Sequence, residues 1–185
     1  METVHFTQQT FRDIMNSFAR PGEQHTLSET MPMNGLYGAT AAVLLTLVDG
    51  EVSVYAEDEA LQKEIFAWTN TKRAAIDEAD FIVLRAGSSA EQITAAIEAA
   101  KIGTLVDPQK SATLIIELQG DKQSYIVTGP GIEHDDTLEA SLHAQWIAAR
   151  AKKNHEFPLG IDIICVTADD TIFSLPRTTK IEVTN

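Results

Sequence analysis

Between residues 11 and 18 the apolar positions repeat with a helical period. Phe11, Ile14, Met15 and Phe18 stand at i, i+3, i+4 and i+7, so "TQQTFRDIMNSFA" predicts an amphipathic helix with those four side chains on its apolar face. Arg20, Pro21 and Gly22 stop it. The run from Ala39 to Val48 in "GATAAVLLTLVDG" predicts a buried helix closed by Gly50, because its Leu and Ala content favours helix over strand. "EVSVYA" then alternates like a strand. Leu61, Ile65 and Trp68 mark a further helix, Phe81 to Arg85 a buried strand, and "SSAEQITAAIEAAK" a helix with Ser88 and Glu91 as its capping box.

Further along, "ATLIIEL" and "QSYIVTG" flank "QGDK", whose Gly120 and Asp121 suit a tight turn, so a hairpin is expected over 112–128. Asp136, with Glu139 three residues on, predicts the start of a long helix through Leu138, Leu142 and Trp146 that ends near Asn154. Two strands around "TADDT" close the chain. Helices that alternate with short, continuously apolar strands imply an α/β layered sandwich, with a central mixed β-sheet flanked by helices. At 185 residues, one domain over 1–185 is expected.

With 44% hydrophobic and 22% charged residues the composition is that of a globular chain with a substantial core. No stretch approaches the ~20 apolar residues that cross a bilayer. "ETVHFTQQTF" after Met1 has neither the basic nor the apolar region of a secretory signal, so the expected location is cytoplasmic. Cys165 stands alone in "IDIICV", which excludes an internal disulfide framework and a Cys-rich metal site, and reads as a small buried hydrophobe. The net charge of −13 argues against nucleic acid as a partner. An anionic ligand therefore needs a local basic pocket. Arg150, Lys152 and Lys153 read as solvated helix-end charges, and Arg177 with Lys180 forms the other cluster.

The chain has no phosphate-cradling P-loop. In "TGPGIEH", Gly129 and Gly131 lack the third glycine of a dinucleotide fingerprint, and the segment reads as a tight turn leaving the hairpin. "EHDD", Glu133 to Asp136, groups hard ligands with His143 as a distant fourth, but acids at a helix start are ordinarily caps and dipole partners. No metal is expected. No "GxSxG" is present, Cys165 has no base beside it, His5 and His25 fall in or near segments expected to be flexible, and His155 reads as a loop residue.

The C-terminal strands carry the most specific pattern. "FPLGIDIICV" places Asp162 inside an apolar run, and "LPRTTKIEV" places Pro176, Arg177, Thr178 and Thr179 at the head of another strand. A two-residue loop at Asp169 and Asp170 would set Asp162 opposite Arg177 on one face, where the two charges pair. An odd loop would shift that register and break the predicted pairing. Pro176 cannot donate to a ladder and belongs at an edge or bulge. The pair is read first as structural and second as part of an exposed anion or partner site.

"FPLGIDIICV", "LPRTTKIEV", "TGPGI", "FRDIMNSFARPG" and "AAVLLTLVD" together resemble the PhnH family, the H subunit of the bacterial carbon–phosphorus lyase system. Between Glu57 and Lys110 only length and pattern agree, and "EHDD" departs from the family pattern. The resemblance implies a sandwich similar in topology to pyridoxal-phosphate-dependent transferases but without that cofactor. It also implies a homodimerising subunit that joins the G, I and J subunits. In that system phosphonate displaces adenine from MgATP to give a ribose 1-phosphonate 5-triphosphate, and an iron–sulfur cluster on the J subunit later supports carbon–phosphorus cleavage. This chain lacks the cysteines for a cluster, which favours an accessory role without activity of its own. The resemblance, with the missing catalytic constellation, implies a non-catalytic assembly subunit; the alternative it leaves is a contributor to a phosphonate or triphosphate site through Arg177, Thr178 and Thr179, with Arg20. Pro158, Gly160, Asp162, Pro176, Gly129 and Gly131 would then be the structural part of the motif.

Overall fold

Side chains of successive strand residues point to opposite faces, and in the central strands both faces are apolar. Leu114 and Ile116 join one core and Ile115 the other; Ile163 and Cys165 oppose Ile164 and Val166 in the same way. Strands of this kind must be covered on both sides. The computed structural model, which describes residues 2–184, shows how. In chain order the elements are α1 (Glu2–Ala19), β1 (His25–Thr26), α2 (Gly38–Leu47), β2 (Ser53–Ala56), α3 (Glu59–Thr69), β3 (Lys72–Arg73), β4 (Phe81–Leu84), α4 (Ala90–Ala99), β5 (Thr113–Glu117), β6 (Gln123–Thr128), β7 (Asp136–Ala140), α5 (Ala144–Lys153), β8 (Asp162–Val166), β9 (Thr171–Leu175) and β10 (Lys180–Val183).

A seven-stranded sheet runs β1-β9-β8-β5-β4-β2-β3, and a three-stranded sheet runs β10-β6-β7. β3, β2, β4, β5 and β8 are parallel, whereas β9 pairs antiparallel with both β8 and β1, which makes the large sheet mixed. Helices α1, α2 and α3 contribute to the core on one face; α4, α5 and the small sheet contribute to the core on the other. At the amino ends of β2 and β4, Asp80 accepts from Ser53 N and Oγ at 2.8 Å each and from Lys101 Nζ at 2.5 Å. Among the described residues no helix is long and apolar enough to cross a membrane.

The α/β architecture with a central mixed sheet matches the sequence reading, but several elements do not. No hairpin forms over 112–128: β5 lies inside the large sheet, and β6 pairs with β7 and β10 in the small one. Residues 136–140 are strand β7, not a helix start, and α5 begins only at Ala144, where the His143 Nδ1 accepts from Gln145 N at 3.2 Å. The acids of "EHDD" are therefore not helix caps. In α4 the capping box sits one residue later than expected, on Ser89 and Gln92, and α2 ends at Leu47, before Gly50. His5 lies within α1, and His25 within β1.

Helix α1 forms where its pattern predicts, yet it buries a different stripe. Phe6, Thr10, Ile14 and Ser17 face the core, and the Ser17 hydroxyl bonds the Ser174 hydroxyl at 2.6 Å. That buried hydroxyl pair fixes the helix on β9, so Phe11 and Met15 turn outward with Val4. In α3, Leu61 and Ile65 are buried while Trp68 is exposed, its Nε1 donating to Glu64 Oε1 at 3.1 Å.

Candidate functional site

Residues 176–179 form the link by which the chain leaves β9 on the large sheet and enters β10 on the small one. The link is a tight turn, closed by Thr179 N donating to Pro176 O at 2.9 Å. Pro176 suits a segment that belongs to neither ladder. At its centre, Arg177 donates through Nη2 to Asp162 Oδ2 at 2.6 Å and through Nε to Asp162 Oδ1 at 3.3 Å, while its own backbone N reaches Oδ1 at 2.7 Å. Nη1 reaches the carbonyls of Pro108 at 3.1 Å and Pro158 at 2.9 Å, and Nη2 also reaches Ser111 Oγ at 2.6 Å. One side chain thus ties the start of β8 to the loops that precede β5 and β8.

The Asp162–Arg177 pair expected from the sequence forms, but not through the expected register. Ile163 pairs with Leu175 and Cys165 with Phe173, which is one residue off the two-residue-loop alignment. Thr167 and Thr171 close a loop of three residues, with Asp170 at φ +58°. The contact survives because Arg177 lies in the turn beyond β9, free of ladder geometry, and can reach back.

A second arginine completes the arrangement. Arg150 was expected as a solvated helix-end charge; it is buried, and its Nη1 donates to Thr179 O at 3.0 Å, its Nη2 to Leu175 O at 3.2 Å and Pro176 O at 2.5 Å. Burial pulls its pKa down to about 10, a shift opposed by Cys165 and Asp162. Lys153 also departs from the solvated reading, with Nζ bonded to Glu98 O at 2.6 Å. The sequence held a weak signal for Arg150, its position one turn beyond Trp146 on the buried face of α5. From the same helix end, Asn154 grips Ile161 with both amide atoms, accepting from its N–H at 2.8 Å and donating to its carbonyl at 3.1 Å.

The glycines and prolines of the motif pack against this link. At Gly160 a Cβ would stand 2.6 Å from Asn154 Oδ1, and at Gly129 it would stand 2.8 Å from Thr178 O. Gly131, at φ +89°, is pressed against the carbonyl of Ala19, so "TGPG" closes on the end of α1 as well. The Phe157–Pro158 peptide is cis and presents the Pro158 carbonyl to Arg177.

Beside the link lies a cavity of about 690 Å³, lined among others by Arg150, Asn154, His155, Arg177, Thr178 and Lys180. In a chain of net charge −13 this is a local concentration of basic groups, faced by Glu182. The arginine Nη donors are engaged with protein acceptors, while Lys180 and the Thr178 hydroxyl have no bonded partner among the described residues, and the Thr179 hydroxyl is buried without one. Such groups can grip an anion; they do not form a nucleophile–base pair. Of the expected ligand residues, Arg177, Thr178 and Thr179 come together here. Arg20 does not: its side chain is exposed and meets Glu23 Oε2 at 3.5 Å. Cys165 is fully buried under the link, and burial pushes its thiol pKa up against the opposing pull of Arg150. Among the described residues no group of three or more His, Cys, Asp or Glu side chains is placed to hold a metal ion.

The family model described as bacterial phosphonate metabolism protein (PhnH) matches residues 1–182. A protein of Stutzerimonas stutzeri named putative C-P lyase subunit protein HtxG is 31% identical over 177 residues, covering 94% of this chain and 85% of that protein. The alpha-D-ribose 1-methylphosphonate 5-triphosphate synthase subunit PhnH of Rhizobium meliloti (strain 1021) is 30% identical over 194 residues, covering 98% of this chain and 92% of that protein. A match along nearly the whole chain takes in the link, both arginines and the glycines packed on them: the chain belongs to the PhnH family.

Proposed function

We propose that this chain is a subunit of a carbon–phosphorus lyase system that serves phosphonate catabolism, supporting the formation of a ribose 1-phosphonate 5-triphosphate from MgATP and phosphonate without performing the chemistry itself. The observation that carries this reading is the family match over residues 1–182, and both relatives are named as subunits. The chemistry around Arg177 agrees, because its donors are engaged in holding loops together. The chain acts as one cytoplasmic domain, 1–185, whose large-sheet topology is similar to that of pyridoxal-phosphate-dependent transferases. Its partners are a second copy of itself and the G, I and J subunits. Val4, Phe11 and Met15 on α1, and Leu105, Val106 and Phe157 on loops, supply exposed apolar surface for such contacts.

Native mass spectrometry of the chain alone and co-expressed with those subunits tests this. A dimer that enters a stoichiometric hetero-complex supports the reading; a chain that stays apart from every other subunit refutes it.

A second reading has its own observation, the basic cavity beside the link. In it, Lys180 and the Thr178 hydroxyl hold the phosphonate or triphosphate anion, and Arg177 beside them adds its positive charge while its donors stay on protein acceptors. Lys180→Ala should then weaken anion binding while leaving stability intact, and unchanged binding would refute it.

A further inference from the structure

The large sheet reverses its winding between β2 and β4. β2 leads through α3, packed on the face of α1 and α2, outward to β3, whereas β4 leads through α4, packed on the opposite face, to β5. Adjacent strands whose connections depart in opposite directions leave a crevice beyond their carboxyl ends, and open α/β sheets bind ligands at that point. Here the crevice holds a cavity of about 330 Å³, walled by Gly35, Glu57, Arg85, Gly87, Ser88 and Gln92.

Its walls are fixed from below. Glu117, the last residue of β5, is only 4% exposed, and its carboxylate accepts from Tyr37 N at 2.5 Å through Oε1 and from Ala86 N at 2.8 Å through Oε2. A buried carboxylate with two amide donors and no bonded cation among the described residues is costly to keep. What it accomplishes is to lock the loop of Gly35 to the loop of Arg85–Ser88, so the crevice is formed before any ligand arrives. Inside, Arg85 meets protein only through Nη2, 3.4 Å from Asp58 Oδ2, and its other donors are unengaged among the described residues. Glu57 follows β2; its Oε1 accepts from Gln92 Nε2 at 2.8 Å, which leaves Oε2 open.

We propose that this crevice binds a small sugar phosphate, with Arg85 on the phosphate and Glu57 accepting hydrogen bonds from ring hydroxyls. Guanidinium groups match phosphate geometry, and an acid just beyond a strand of an α/β sheet is the group that takes a ribose hydroxyl. The volume lies at the small end of ligand cavities, which suits a monosaccharide phosphate and excludes a dinucleotide. This inference rests on the β2–β4 crevice and goes beyond the assignment as a complex subunit.

Calorimetric titration of the full chain with ribose 5-phosphate, beside ribose and inorganic phosphate, tests it. The expected result is saturable binding of ribose 5-phosphate, with each partial probe weaker by about tenfold or more. Arg85→Gln and Glu57→Gln should each weaken binding by about tenfold while Tm stays that of the parent, since both side chains are exposed. Lys180→Ala, in the other cavity, should change nothing. The proposal is overturned by the absence of heat at about 10 mM ribose 5-phosphate, by inorganic phosphate binding as tightly as the sugar phosphate, or by loss of binding in Lys180→Ala with Arg85→Gln unaffected.

Discussion

Arg177→Met removes the charge of the link while keeping most of the side-chain volume. Five side-chain hydrogen bonds disappear, two to Asp162 and one each to Pro108 O, Pro158 O and Ser111 Oγ. Stranding one member of a buried ion pair costs about 3–5 kcal/mol. Two features place the loss at the lower end: Asp162 keeps the Arg177 backbone N–H at 2.7 Å, and the Arg177 and Asp162 side chains retain 16% and 20% exposure. The expected loss is about 3 kcal/mol, which for a chain of this size lowers Tm by about 6–12 °C. Urea unfolding followed by circular dichroism measures it, with Asp162→Asn and the double variant completing a cycle. A coupling energy of at least about 1 kcal/mol is expected, because the two side chains touch. An Arg177→Met variant within about 0.5 kcal/mol of the parent would refute the claim that this residue holds the loops, and would return it to the exposed anion site of the second reading.

Three further outcomes follow from the geometry. Burial acts to raise the Asp80 pKa but is outweighed by hydrogen bonds from Lys101 and Ser53, so the carboxyl sits below its ordinary value of 3.8; its stabilisation is present above that value and is lost as pH falls through the folded pKa. Asp80→Asn should therefore lose less Tm than the parent between about pH 5 and about pH 2, and superimposable acid limbs would contradict this. Gly131→Ala puts a Cβ against the Ala19 carbonyl in a left-handed backbone, and should destabilise by about 2 kcal/mol or more in the same urea assay; parent-like stability would show that α1 can move away freely. Cys165, fully buried and with its thiol pKa raised, should resist a thiol reagent in the native state and react only across the urea transition, so prompt labelling without urea would contradict the packing of β8.

The elements legible in the sequence were those whose pattern is decided locally. The largely apolar α2, although it stops at Leu47 short of Gly50, and the paired strands β8 and β9 around "TADDT" form in the segments where they were expected. The failures share one cause: strand partners are chosen by tertiary packing, which local pattern does not record. β5 and β6 are neighbours in sequence with a turn between them, yet β5 is buried on both faces whereas β6 alternates, and that difference assigns them to different sheets. Leu138, Leu142 and Trp146 keep a helical spacing that conceals a boundary, because Leu138 and Ala140 are the inward pair of a short strand and α5 starts after them. On α1, period alone could not show that the stripe of Thr10, Ile14 and Ser17 would be preferred over Phe11 and Met15; the partner hydroxyl of Ser174 lies far away in the chain.

The candidate site was legible to a different degree, and for a different reason. Asp162 and Arg177 attract notice because charges rarely sit at the ends of apolar strands, but the register from which their pairing was argued does not form, and the contact is made instead from the turn beyond β9. Arg150 gave no such notice among the basic residues that close α5, although it is the more deeply buried of the two arginines. They do complementary jobs: Arg150 saturates carbonyls of a link that has left one ladder and not yet joined the next, and Arg177, within that link, ties it to Asp162 and to the carbonyls of Pro108 and Pro158 in the loops before β5 and β8. A chain crossing between two sheets exposes backbone groups that no strand can satisfy, and a guanidinium, with five donors in a fixed plane, serves several at once. The motif is therefore a signature of how this fold connects its two sheets. The groups that the crossing leaves unused, and on which the two proposed ligand sites rest, are Lys180 and Thr178 beside it and Arg85 and Glu57 beyond the carboxyl ends of β4 and β2.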